Sequence, residues 1–144
     1  IPTKKSFYDF LEVLDLVLSD NLDKNFFKGR GLQLERIIDR KGDKTSLSEK
    51  KGTISLLKEW LETFPLNDKE SQDLKSAIDY IKRIRELRSE SSHSDLDNEW
   101  DYELMVRQRE IIIEAVERMR SIRFLIYKHL DSKLQLKPYD SWVY

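Results

Sequence analysis

Arg88 and His93 are separated by four residues in the stretch Arg88-Ser89-Glu90-Ser91-Ser92-His93. The guanidinium of an arginine can grip a phosphate through two parallel hydrogen bonds. Histidine is the side chain whose ordinary pKa lets it take and give a proton near neutrality. The chain has only two histidines, so acid–base chemistry by imidazole has two places to occur. The other is His129, which follows Arg123 through the apolar run Phe124-Leu125-Ile126-Tyr127. On a helix that gap throws the two side chains well apart around the axis, so the second pair reads as structural.

Three further groups compete for a chemical reading. Asp95, Asp97, Glu99 and Asp101 alternate as calcium ligands do, but the stretch lacks the glycine of a sharp calcium loop. Capping of a helix start explains these acids, and no metal or other cofactor is expected. Arg30 between Gly29 and Gly31 suggests a kink or a close helix crossing more than a phosphate contact. Arg107, Arg109, Arg118, Arg120 and Arg123 alternate with Glu103, Glu110, Glu114 and Glu117, the pattern of a solvated helix face with internal pairs. No glycine-rich phosphate loop and no credible Ser/His/Asp triad is present.

These residues need a scaffold. A chain of 144 residues fits one domain and can build its own core without a disulfide or a metal. It contains no cysteine, which removes disulfides, thiolate nucleophiles and cysteine zinc sites. Charged residues make up 37% of the chain at a net charge of −1, so any site for a polyanion must be a local basic patch. No apolar run approaches the length of a membrane span. A cytoplasmic protein is expected, with no membrane contact. The start at Ile1 rather than Met is what an excised domain or a processed product would show.

All four glycines fall between Gly29 and Gly52, and strand-type alternation is not sustained anywhere. The spacing therefore predicts an all-α domain, a bundle of four or five helices over residues 1–132, followed by an aromatic tail over 133–144. Thr3 is the expected cap of a first helix from about Lys4 to Ser19, with Phe7, Phe10, Leu11, Leu14 and Val17/Leu18 on its apolar face. A less regular helical segment is expected from Asp23 to Arg40, with Leu32, Leu34, Ile37 and Ile38 buried. A helix from about Ser48 to Phe64 follows and ends at Pro65. Asn67 or Asp68 caps the next helix, whose seam of Leu74, Ala77/Ile78, Ile81, Ile84 and Leu87/Arg88 puts Arg88 at the edge of the core. The last long helix is expected to be capped by Asp97 or Asn98 and to run to about Leu130. Its core face holds Leu104, Ile111/Ile112, Ala115, Met119, Ile122 and Leu125/Ile126. Pro138, Tyr139, Trp142 and Tyr144 suggest that the tail packs on the domain or on a partner.

With the motif set in a helical bundle, the chain resembles the HEPN superfamily, whose ribonuclease members carry Arg-x4-6-His. The segment from Ile84 to Ser94 looks like that motif, and Gly52-Thr53-Ile54-Ser55-Leu56-Leu57-Lys58-Glu59-Trp60-Leu61 is similar to an earlier helix of such domains. The resemblance implies an HEPN-like endoribonuclease that cuts RNA without a metal, in a toxin or phage-defence setting. His93 would be the general acid or base, Arg88 would hold the scissile phosphate, and Ser89 and Glu90 would support them. Arg85, Arg107 and Arg109 would contribute to an RNA path. It also implies a homodimer in which two copies of the motif face one cleft. Active members carry Asn, Asp or His directly after the arginine, where this chain has Ser89. That departure is what a catalytically silent HEPN-like module for dimerisation or for RNA or nucleotide sensing would show. A helical protein-interaction adaptor is the third expectation.

Overall fold

The computed structural model describes residues 3–19, 22–39, 46–90 and 100–130. Among the described residues, four α-helices carry the architecture: α1 (Lys4–Ser19), α2 (Thr53–Glu62), α3 (Asp68–Glu90) and α4 (Tyr102–His129). They fold as a mostly helical bundle around α3, which packs against each of the other three. The core is one continuous cluster. It includes Phe7, Leu11 and Leu18 of α1, Leu57 and Leu61 of α2, Ile78, Ile81 and Ile84 of α3, and Ile111, Ile122 and Leu125 of α4. The helical repeat of these positions made the bundle readable from sequence.

The helix starts follow local chemistry. At α1 the Ser6 N–H donates to Thr3 Oγ1 at 3.1 Å and the Thr3 N–H donates back to Ser6 Oγ at 2.9 Å, a reciprocal cap with serine in the place of the usual glutamate. Asn67 Oδ1 accepts from the Glu70 N–H at 2.8 Å and so caps α3. The cap of α4 is Asp101, whose carboxylate accepts from the Glu103 N–H at 2.9 Å. This corrects the expected cap at Asp97 or Asn98. Asp101 has extended backbone angles and stands directly before the first helical residue, Tyr102, as a cap must.

The segment expected to be helical from Asp23 to Arg40 is not a helix over its described residues, 23–39. A short 3-10 turn, Lys24–Phe27, is followed by Gly29 and Gly31 at φ +73° and +78°. Two left-handed residues so close together stop a right-handed helix. The chain then forms an antiparallel hairpin of β1 (Glu35–Asp39) and β2 (Ser46–Lys50), with Ile37 opposite Ser48 and Glu35 opposite Lys50. The expectation of an all-α domain is corrected to this extent. The burial expected of Ile37 and Ile38 is also overturned, since they are 74% and 40% exposed. Only Leu32 and Leu34 of that group pack against the core. Because β2 occupies residues 46–50, α2 begins at Thr53 and not near Ser48.

Candidate functional site

α3 carries Arg85 and Arg88 one helical turn apart on the face turned to α1. Between Leu11 and Leu18 the buried stripe of α1 includes a carboxylate, Asp15, which is 2% exposed. Arg88 donates through Nη1 to Asp15 Oδ2 at 2.7 Å. Arg85 donates through Nε to Asp15 Oδ1 at 3.4 Å. A buried carboxylate is costly unless it is paired and hydrogen-bonded, so α1 and α3 are tied here by charge as well as by packing. The two arginines keep 48% and 40% of their side chains exposed. Two partly exposed guanidinium groups thus stand beside one buried carboxylate at this end of α3.

Asp15 was not singled out in the sequence reading. Its signal was present: an acid four residues after Leu11 and three before Leu18, on a face otherwise apolar. Such a position calls for a cation from a neighbouring element.

Arg85 also lines an open polar recess of about 530 Å³ with Ser19, Leu22, Lys24, Gly52 and Thr53. The recess lies at the start of α2. Gly52 is the cap residue there and supplies no side-chain acceptor. The first N–H groups of α2 therefore add positive potential beside Lys24 and Arg85. Thr53 Oγ1 donates to the Ser19 carbonyl at 3.4 Å, which joins α2 to the end of α1 at the same place.

The remaining candidates fall elsewhere. Ser89 donates its hydroxyl to the Glu86 carbonyl at 2.8 Å, an intrahelical bond. Glu90 lies 3.8 Å from Arg83, which also pairs with Glu86. Arg107 stands 5.4 Å above the Phe7 ring, and Arg109 is exposed on the opposite side of α4. Arg85 and Arg88 are thus brought together, while Arg107 and Arg109 do not share one face. His93 lies outside the described residues, as do Asp95, Asp97, Glu99 and the tail beyond Leu130. Among the described residues, no group of three or more His, Cys, Asp or Glu side chains could hold a metal ion.

His129 and Arg30 have structural surroundings. His129 Nε2 lies 2.5 Å from Glu70 Oε2, and its ring stacks on Phe64 at 5.7 Å. Glu70 also accepts from Lys128 at 2.5 Å, so the start of α3 is bound to the end of α4. The hydrogen bond from Lys128, then that from His129, hold the Glu70 carboxyl below its usual range against the opposing effect of burial. Arg30 covers the Phe26 ring at 3.9 Å and donates to the Phe26 carbonyl at 2.6 Å, closing the glycine turn over aromatic surface.

Comparison with family models, with curated proteins and with solved structures finds no match for this chain. The functional reading therefore stands on the geometry described above. Among the described residues, no helix is long and apolar enough to cross a membrane.

Proposed function

We propose that this protein is an HEPN-like RNA-binding module that works at the Arg85–Arg88 end of α3 and cuts RNA without a metal, His93 transferring the proton. The observation that carries the proposal is the double role of Arg85, which braces Asp15 and lines a cation-edged recess beside the start of α2. Phosphate is the ligand chemistry that suits two or three fixed cations and unpaired helix N–H groups. Asp15 restrains the arginines in advance, so less ordering is needed when a phosphate arrives. In this reading Arg88 stabilises charge on the phosphorus oxygens and His93, five residues on, acts on the 2′-hydroxyl or the leaving oxygen.

A second reading is binding without cleavage, as a dimerisation or RNA-sensing module. It is favoured by Arg88 being engaged with Asp15 and by the Ser89 hydroxyl being turned to its own helix. One experiment separates the readings. Single-stranded RNA is incubated with the protein in excess EDTA, and binding and cleavage are followed together for the parent and His93→Ala. Cleavage by the parent alone, with equal binding by both, is the expected result. Binding by both with cleavage by neither establishes the silent module. Equal cleavage by both removes His93 from the chemistry, and absence of binding by either refutes the proposal.

A further inference from the structure

Between Asp23 and Glu35 the chain carries three cations, two phenylalanines and no acid, in the run Lys24-Asn25-Phe26-Phe27-Lys28-Gly29-Arg30-Gly31. Lys24, Lys28 and Arg30 are all exposed. Basic residues interleaved with aromatic ones make a surface suited to single-stranded nucleic acid, where cations meet phosphates and flat groups meet bases. The acids on the neighbouring helix have cations of their own. Glu59 pairs with Lys51 at 2.8 Å and Glu62 with Lys58 at 3.6 Å.

Arg30 is the fixed member of this group. Its guanidinium carbon stands 3.9 Å over the centre of the Phe26 ring and 5.8 Å from that of Trp60. At the first of these heights an edge-on guanidinium would drive its nitrogens into the ring, so the group lies nearly flat on it. Its Nε also donates to the Phe26 carbonyl at 2.6 Å, which fixes the plane a second time. Phe26 in turn meets Trp60 edge to face at 4.9 Å and Phe27 at 5.3 Å, so the ring beneath the guanidinium is itself held. Gly29 and Gly31 leave the sides of the turn open. Among the described residues, no atom beyond their chain neighbours lies within 4 Å of where a Cβ would stand on either.

Closing the turn uses only the inner face of the guanidinium. Arg30 is exposed, so the face turned away from Phe26 meets water. The platform also lies close to the recess at the start of α2. Lys24 lines that recess and stands two residues before Phe26. Thr53, which lines it too, and Trp60, which touches Phe26, lie on one side of α2 two turns apart, a rise of about 10 Å. One strand can therefore reach both places. We propose that the outer face of Arg30 is a stacking platform for one unpaired nucleobase of the strand whose phosphates enter the recess. The proposal rests on the RNA reading for the identity of that strand. A guanidinium already held flat needs little ordering to stack, and its faces are weakly hydrated. A base inside a duplex is covered on both sides by its neighbours, so the platform selects single strands.

Anisotropy of a short labelled single-stranded RNA at low salt tests this. Arg30→Lys keeps the charge and removes the plane. Its affinity is expected to fall about fivefold, while the salt slope and the melting temperature stay those of the parent. A single abasic nucleotide, moved along the strand, costs the parent a similar factor at one position and costs Arg30→Lys nothing further there. A photoreactive thiouridine at that position crosslinks to the segment Phe26–Gly31 of the parent, a readout that needs no variant to fold. Equal affinity of Arg30→Lys and parent, a flat abasic scan, or a crosslink elsewhere overturns the platform. Arg85→Gln, measured alongside, separates it from the recess. Loss in Arg85→Gln alone overturns the platform and keeps the recess, loss in Arg30→Lys alone does the reverse, and a parent that binds no RNA overturns both.

Discussion

Asp15 and Arg88 depend on each other unequally. Removing Arg88 leaves the buried Asp15 carboxylate with only the longer 3.4 Å contact to Arg85, whereas removing the carboxylate leaves an arginine that is 40% exposed. Breaking a fully buried pair from one side costs roughly 3–5 kcal/mol, and the partial exposure of Arg88 lowers this to about 2–3 kcal/mol for Arg88→Ala. Asp15→Leu, which fills the site with apolar volume, is expected to lie within about 1 kcal/mol of the parent. Urea denaturation of the two variants measures the asymmetry, and equal losses would mean that Asp15 does not need Arg88 beside Arg85. Tyr80 offers a second check at this scale. Its hydroxyl donates to the Ile111 carbonyl at 3.1 Å, and burial, with a smaller push from Glu114, raises its pKa to about 12. Unfolded tyrosine ionises near 10, so the unfolded chain loses this proton first and the folded protein loses stability between pH 10 and about 12. Tyr80→Phe should flatten that alkaline decline at a cost near 1 kcal/mol at neutral pH.

At the scale of elements, the junction of α3 and α4 responds to acid. Glu70 has its carboxyl lowered by hydrogen bonds from Lys128 and His129, so folding favours the ionised form. The stabilisation is fully present above the unfolded value of 4.5 and is lost as the pH falls through the lower folded value. Thermal melts from pH 6 to pH 3 should show a steeper loss for the parent than for Glu70→Gln. The bundle positions follow from patterns legible in the sequence. α1 has the bounds expected of it because the Thr3 cap and the Phe7, Leu11, Leu18 repeat state them together. The seam of α3 led correctly to Arg88 at the core edge. The hairpin was not legible, because Leu34, Ile37 and Ile38 satisfy helical spacing, and a strand pair outside the core shows no alternation of burial. Its strands are held by backbone pairing and by surface contacts such as Arg36 with Glu49 at 2.8 Å. Ile37→Thr should therefore change stability by no more than about 0.5 kcal/mol, whereas Ile81→Ala in the centre of α3 should cost about 2–5 kcal/mol. A large loss from Ile37→Thr would restore the buried helix that the sequence suggested. Asp15 was missed for a related reason: periodicity identifies the apolar members of a buried face and passes over a charge among them.

Taken whole, the molecule is nearly neutral, with a net charge of −1, so attraction to any polyanion must come from a local group of cations. On the proposed function, Arg85 and Arg88 at the end of α3 and Lys24 across the recess supply it. Contact with two or three phosphates through these cations predicts an affinity that falls with salt, at a logarithmic slope of about −0.7 per phosphate on single strands. The central claim is that Arg85 sits where RNA binds. Its most direct test is fluorescence anisotropy of a labelled single-stranded RNA at low salt with the parent and Arg85→Gln. Asp15 remains paired with Arg88 in that variant, so the fold and its melting temperature should be preserved. The account predicts about a tenfold weaker affinity and a shallower salt slope for Arg85→Gln. Equal affinity of parent and variant, or no binding by the parent at low salt, would contradict it.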